Sequence, residues 1–97
     1  MAIDIKATFE KNDGEHLEFD RIKNKRSKRP DLHAFLLLDE LAPGNGDMVV
    51  AAEHDQIWID TKIDDLEHSG ITEEQVVELI RCGVFYDDDC DCLAMFV

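Results

Sequence analysis

Ninety-seven residues, 44% of them apolar, with five glycines and two prolines, suffice for one modest core and exclude the disordered and low-complexity classes. Ten bases against 23 acids leave a formal charge of −13, which repels nucleic acid over most of the surface and attracts cationic protein surfaces. No uninterrupted apolar run exceeds six residues, far short of the roughly 20 that a membrane span requires.

The opening MAIDIKATFEK lacks the basic and apolar regions of a signal peptide. The expectation is therefore a single cytoplasmic domain, 1–97, outside any membrane, with its cysteines reduced. Ile3, Ile5, Ala7 and Phe9 alternate with polar residues and predict a half-buried strand. Asn12-Asp13-Gly14 supplies turn chemistry, and Leu17 and Phe19 resume the alternation, so the first expected element is a hairpin. A basic run follows, RIKNKRSKR, in which Arg21, Lys23, Lys25, Arg26, Lys28 and Arg29 occur without an acid. It is expected to form a mobile loop, about 21–30, ending where Pro30 turns Arg29 away from helical angles.

Asp31 is the expected N-cap of a helix whose apolar face comprises Leu32, Phe35, Leu36, Leu38 and Leu41, stopped by Ala42-Pro43-Gly44. MVVAA and QIWID read as two strands around Glu53-His54-Asp55, apolar enough to be covered on both faces or nearly so. Lys62 to Ser69 suggests one loose helical turn ended by Gly70. Thr72 and Gln75 form a capping box ahead of Val76, Leu79 and Ile80, with Arg81 in the last turn and Gly83 placed to end the helix. GVFYD and CLAMFV then pair as a closing hairpin around DDCD. Together these predict an α+β fold of antiparallel hairpins and two helices, in the order ββ-α-ββ-α-ββ.

The stretches VVAAEHDQIWID and ITEEQVVELIRCGVFYDDDCDCLAMFV resemble a group of small tailed-bacteriophage proteins that share an AAEHD-type turn, an ITEEQ helix start, a CGV-x-YD step and a terminal LAMFV. The resemblance covers the last fifty or so residues. It implies an accessory phage protein in the cytoplasm of a bacterial host, and it brings no activity and no catalytic residue with it.

The residues themselves carry little catalytic chemistry. Cys90 and Cys92 are separated by one residue and have no partner pair, whereas structural zinc uses pairs spaced by two to four. Asp87, Asp88, Asp89 and Asp91 lack the spaced pattern and closing glutamate of a calcium loop. His54 lies between acids, and His16, His33 and His68 are scattered, but adjacency in sequence is not catalytic geometry. No metal, cofactor or catalytic residue is assigned.

Charge is the remaining signal. Residues 1–29 hold eight bases and six acids, while from Pro30 onward 17 acids face only Lys62 and Arg81. Asp60, Asp64, Asp65, Glu67, Glu73, Glu74 and Glu78 could join Asp87, Asp88, Asp89 and Asp91 as an acidic interaction surface, in the extreme one that imitates the phosphate spacing of DNA. The expected function is non-enzymatic: binding a host or phage protein through that surface, with inhibition of a nucleic-acid-binding host factor as its sharpest form. The alternatives are a virion-assembly role and a small nucleic-acid-binding module working through residues 21–29. Charge sets direct nucleic-acid binding below a protein partner, and oligomeric state is not encoded in any pattern.

Overall fold

Asp4 decides the first element. In a computed structural model describing residues 3–96, its carboxylate accepts the Ala7 amide hydrogen at 3.1 Å and starts helix α1, Ile5–Lys11. Ile5 and Phe9 are buried on one side, and Ala7 is exposed. Residues four apart satisfy both a strand's period of two and a helix's period of 3.6, so these two positions fit either element. The cap settles the choice, and the expected first hairpin is replaced by α1. Two short 3-10 turns follow, Asp13–Glu15 and Phe19–Arg21, with Leu17 between them at φ +65° and 68% exposed.

Pro30 begins helix α2, Pro30–Leu41, with Arg29 as the extended N-cap residue at φ −100° and ψ 122°. Asp31 therefore sits in the first turn, not at the cap. The helix stops at Ala42 as expected, but its inward face is rotated. His33, Ala34, Leu37 and Leu38 are buried, whereas Leu32 and Leu36 are each 43% exposed.

Strands β1, Val49–Glu53, and β2, Gln56–Lys62, form an antiparallel pair around His54 and Asp55, with His54 at φ +56°. Coverage on both faces does not hold. Every residue of β1 is exposed, and Ile59 alone is fully buried in β2, because β1 lies at the margin of the sheet. Two helices follow: α3, Ile63–His68, and α4, Glu73–Arg81. The closing hairpin pairs β3, Val84–Asp87, with β4, Cys92–Phe96. Leu93, Ala94 and Met95 are buried; Val97, the end of the expected final strand, lies outside the described residues, as do Met1 and Ala2.

The sheet order is β1-β2-β4-β3, antiparallel throughout. The class is α+β, with four α-helices and four strands among the described residues, in the order αα-ββ-αα-ββ, so the expected ββ-α-ββ-α-ββ arrangement is corrected. One hydrophobic cluster joins Ile5 and Phe9 of α1, Leu37 and Leu38 of α2, Ile59 of β2, Val76, Leu79 and Ile80 of α4, and Leu93 of β4.

Helix α4 has both capping-box bonds: Gln75 N–H donates to Thr72 Oγ1 at 3.2 Å, and Thr72 N–H donates to Gln75 Oε1 at 3.0 Å. Its C-terminal end turns through Gly83 at φ +102°, where an added Cβ would stand 2.9 Å from Leu17 Cδ2. Gly83→Ala is expected to lower stability by about 1–2 kcal/mol through left-handed strain, read as a fall in Tm. Thr72→Ala should cost about 1 kcal/mol; an unchanged Tm for both would contradict this account of how α4 is bounded.

Candidate functional site

The acidic turn between β3 and β4 is held from below. Asp87 Oδ2 accepts the Trp58 indole Nε1–H at 2.9 Å, and its Oδ1 accepts the Asp89 amide hydrogen at 3.0 Å. Tyr86 donates its hydroxyl to Asp91 Oδ1, and that bond, reinforced by desolvation and the Asp91 charge, pushes Tyr86 up to about 12. Asp91 occupies the left-handed region at φ +53°. Asp88 pairs with Lys6 at 2.9 Å, and the hydrogen bond that Lys6 donates to that carboxylate raises Lys6 above its ordinary value.

Cys90 and Cys92 are joined as a disulfide with their Cα atoms 5.3 Å apart, within the usual span for such a bond. The expectation of three reduced cysteines is corrected accordingly. Cys82, free and buried, is pushed up to about 12, first by desolvation and then by the nearby Glu78 and Asp31 charges.

The other sequence-assigned acids occupy separate settings. Glu67 Oε2 accepts the Ile5 amide hydrogen at 3.3 Å, at the start of α1. Glu73 accepts from Asn12 and pairs with Lys11, which hold it below its ordinary value. Glu78 faces His33, and with Glu73 and Glu74 it lines a cleft that also contains Arg21, Lys23 and Arg81. Asp60 and Asp64 share a second cleft with Asp91, Cys90 and Cys92. Asp60 also shares a third with Asp65, Asp39 and Asp47. Asp39 and Asp47 were not singled out in the sequence; their signal is that they flank the Ala42–Gly46 bend on opposite sides.

The basic run is irregular in backbone and tied inward. Arg21 pairs with Glu15 at 2.9 Å, and Arg26 pairs with Glu40 at 2.5 Å. Lys25 donates to the Ile22 carbonyl at 2.9 Å and lies 5.3 Å from the Phe19 ring centroid. The Arg26 amide hydrogen is accepted by Nδ1 of the fully buried His33 at 3.0 Å. An accepting Nδ1 places the ring proton on Nε2, which lies 3.4 Å from Glu78 Oε2. Lys23, Lys28 and Arg29 make no ion pair among the described residues.

Sequence reasoning passed over the aromatic side chains beside the acidic turn. Phe85 opposes Ala94 across the hairpin, which puts Phe96, two residues on, over the same face. The two rings stack with centroids 4.8 Å apart, and His16 meets Phe85 edge-on at 6.4 Å. Among the described residues, no group of three or more His, Cys, Asp or Glu is placed to hold a metal ion. No helix there is long and apolar enough to cross a membrane. Comparison with protein-family models, curated proteins and solved structures returns no match.

Asp87→Asn should cost up to about 1.5–3 kcal/mol, the range for a hydrogen bond to a charged group, whereas Asp89→Asn, exposed and without an ion pair among the described residues, should leave Tm unchanged. Chemical denaturation separates the two. Under non-reducing conditions no thiol should react in the folded chain, and one, Cys82, should react in denaturant. An unfolded thiol ionises near 9 while folded Cys82 keeps its proton to about 12. Its stabilising contribution is therefore complete below pH 9 and lost progressively as pH rises toward 12, which alkaline denaturation would record.

Proposed function

We propose that this chain is a non-enzymatic accessory protein of a tailed bacteriophage that binds a basic surface on a host or phage protein. In its sharpest form it displaces nucleic acid from a binding factor by presenting carboxylates where phosphates would lie. The observation that carries this reading is the fixing of the acidic turn: Asp87 is bonded to Trp58 and to the Asp89 backbone, so the neighbouring carboxylates project from an ordered hairpin. Charge mimicry requires such rigidity, because each mobile side chain immobilised on binding costs about 0.5–1.5 kcal/mol. Glu67, Glu73, Glu78 and Asp88 have internal partners. Asp91 accepts from Tyr86, whereas Asp60, Asp64, Asp65, Glu74 and Asp89 are exposed and form the set most able to face a partner.

A virion-assembly role has one observation in its favour, the exposed margin strand β1 with Val49 and Val50 on the surface. A nucleic-acid-binding role for residues 21–29 has less support, because Arg21 and Arg26 already pair with carboxylates.

The test is release of labelled duplex DNA from a purified basic bacterial DNA-binding protein at about 50 mM and 500 mM salt. Release at low salt that is lost at high salt, and weakened in Asp60→Asn/Asp64→Asn/Asp89→Asn, is the expected result. DNA binding by the chain itself, abolished by reversing Lys23, Lys28 and Arg29, would replace this reading with the nucleic-acid one. Salt-independent self-association without DNA release would favour assembly.

A further inference from the structure

Beside the acidic turn lies a cleft of about 420 Å³, at the lower end of the roughly 300–1,000 Å³ typical of ligand sites. Its floor is apolar: Phe9, Ile80 and Val84 are buried. Its wall is aromatic, with the stacked pair Phe85 and Phe96, and Phe96 is 61% exposed. Its rim is acidic, carrying Glu10, Asp13 and Asp88. Lys6 neutralises Asp88 and lies one helical turn from Glu10, but neither Glu10 nor Asp13 makes an ion pair among the described residues.

Each part of this cleft selects a different property of the occupant. Carboxylates at a rim call for positive charge. Exposed phenyl faces attract a cation that is weakly hydrated and can lie flat against them. A buried aliphatic floor suits a hydrocarbon stem. The arginine side chain combines all three: a planar guanidinium that stacks on aromatic rings, donors spaced for carboxylates, and a methylene stem. An ammonium, compact and strongly hydrated, uses the rim but gains less from the wall.

We propose that this cleft receives an arginine side chain from a basic segment of the partner protein. The proposal rests on the reading of the chain as an acidic binding protein, and it locates that binding at the junction of α1 with the β3–β4 hairpin. The exposed acids on α3 and α4 then contribute mainly long-range attraction, while the cleft supplies the side-chain selectivity.

The test is an NMR titration with a blocked hexa-arginine peptide, using hexalysine and N-acetylarginine amide as comparisons. Shifts are expected at Glu10, Asp13, His16, Phe85 and Phe96, with hexa-arginine the tightest of the three. Phe96→Ala, at an exposed position, should weaken hexa-arginine about fivefold by removing a cation–π face. Glu10→Gln/Asp13→Asn should weaken it about tenfold, with Glu53→Gln/Asp55→Asn, exposed at the β1–β2 turn, within twofold of the parent. Binding with shifts centred on α3 and indifferent to Phe96→Ala would overturn the cleft while leaving the acidic-surface reading intact. No binding of either peptide at low salt would overturn both. N-acetylarginine amide binding as tightly as the peptide would overturn a protein segment as the occupant in favour of a small organic cation.

Discussion

The apolar stripe of α4 is the surface on which the rest of the chain is arranged. Val76, Leu79 and Ile80 are buried, and the helix packs against α1, α2, β3 and both 3-10 turns. Burial alone would leave those neighbours free to slide, since the hydrophobic effect has no direction. Direction comes from polar contacts at the rim. Lys11 and Asn12 reach Glu73 at the start of α4, and Glu15 takes Arg81 at its end at 3.1 Å. The Leu17 amide hydrogen is accepted by Ile80 O at 3.1 Å, a carbonyl that also accepts from the Gly83 amide at 2.9 Å, so the connecting segment is bonded to the end of the helix. The N-terminal third, slightly basic, is thereby clipped to an acidic helix at both ends.

Ion pairs of this kind contribute modestly where exposed, about 0–1 kcal/mol each. Their value lies in register. The pairing of His33 with Glu78 differs because the ring is fully buried. With one ring nitrogen bonded to the Arg26 backbone and the other facing Glu78, the imidazole links the irregular basic segment, α2 and α4 through one side chain. Truncating it would remove both bonds at once.

Local signals were legible where one residue dominates its own neighbourhood. The Thr72–Gln75 box, Gly83 after α4, the turning of Arg29 to extended angles by Pro30 and the closing hairpin all rest on chemistry within a few residues, and each is found. Ile5 and Phe9 failed as a signal because their spacing fits two periods. In α2 the run of apolar residues surrounds the helix axis, so nothing in the pattern selects the inward face; tertiary packing turned Leu37 inward and Leu36 outward. At the candidate site the acids were visible but their partners were not. Glu73 with Lys11, Glu67 with Ile5 and Asp87 with Trp58 are each separated by dozens of residues, beyond the reach of any local rule. The aromatic cleft was hidden for a related reason, since a pair of phenylalanines in strands reads equally well as core.

Strand β1 gives the molecule an uneven mechanical character. All its residues are exposed, and only one side of its backbone is joined to the sheet, through β2. The other three strands share the core through Ile59, Val84, Leu93 and Met95. The margin can therefore separate at a small fraction of the cost of global unfolding. Its amide hydrogens would exchange through that local opening while the core stays protected, leaving a transient three-stranded sheet on an intact helical layer.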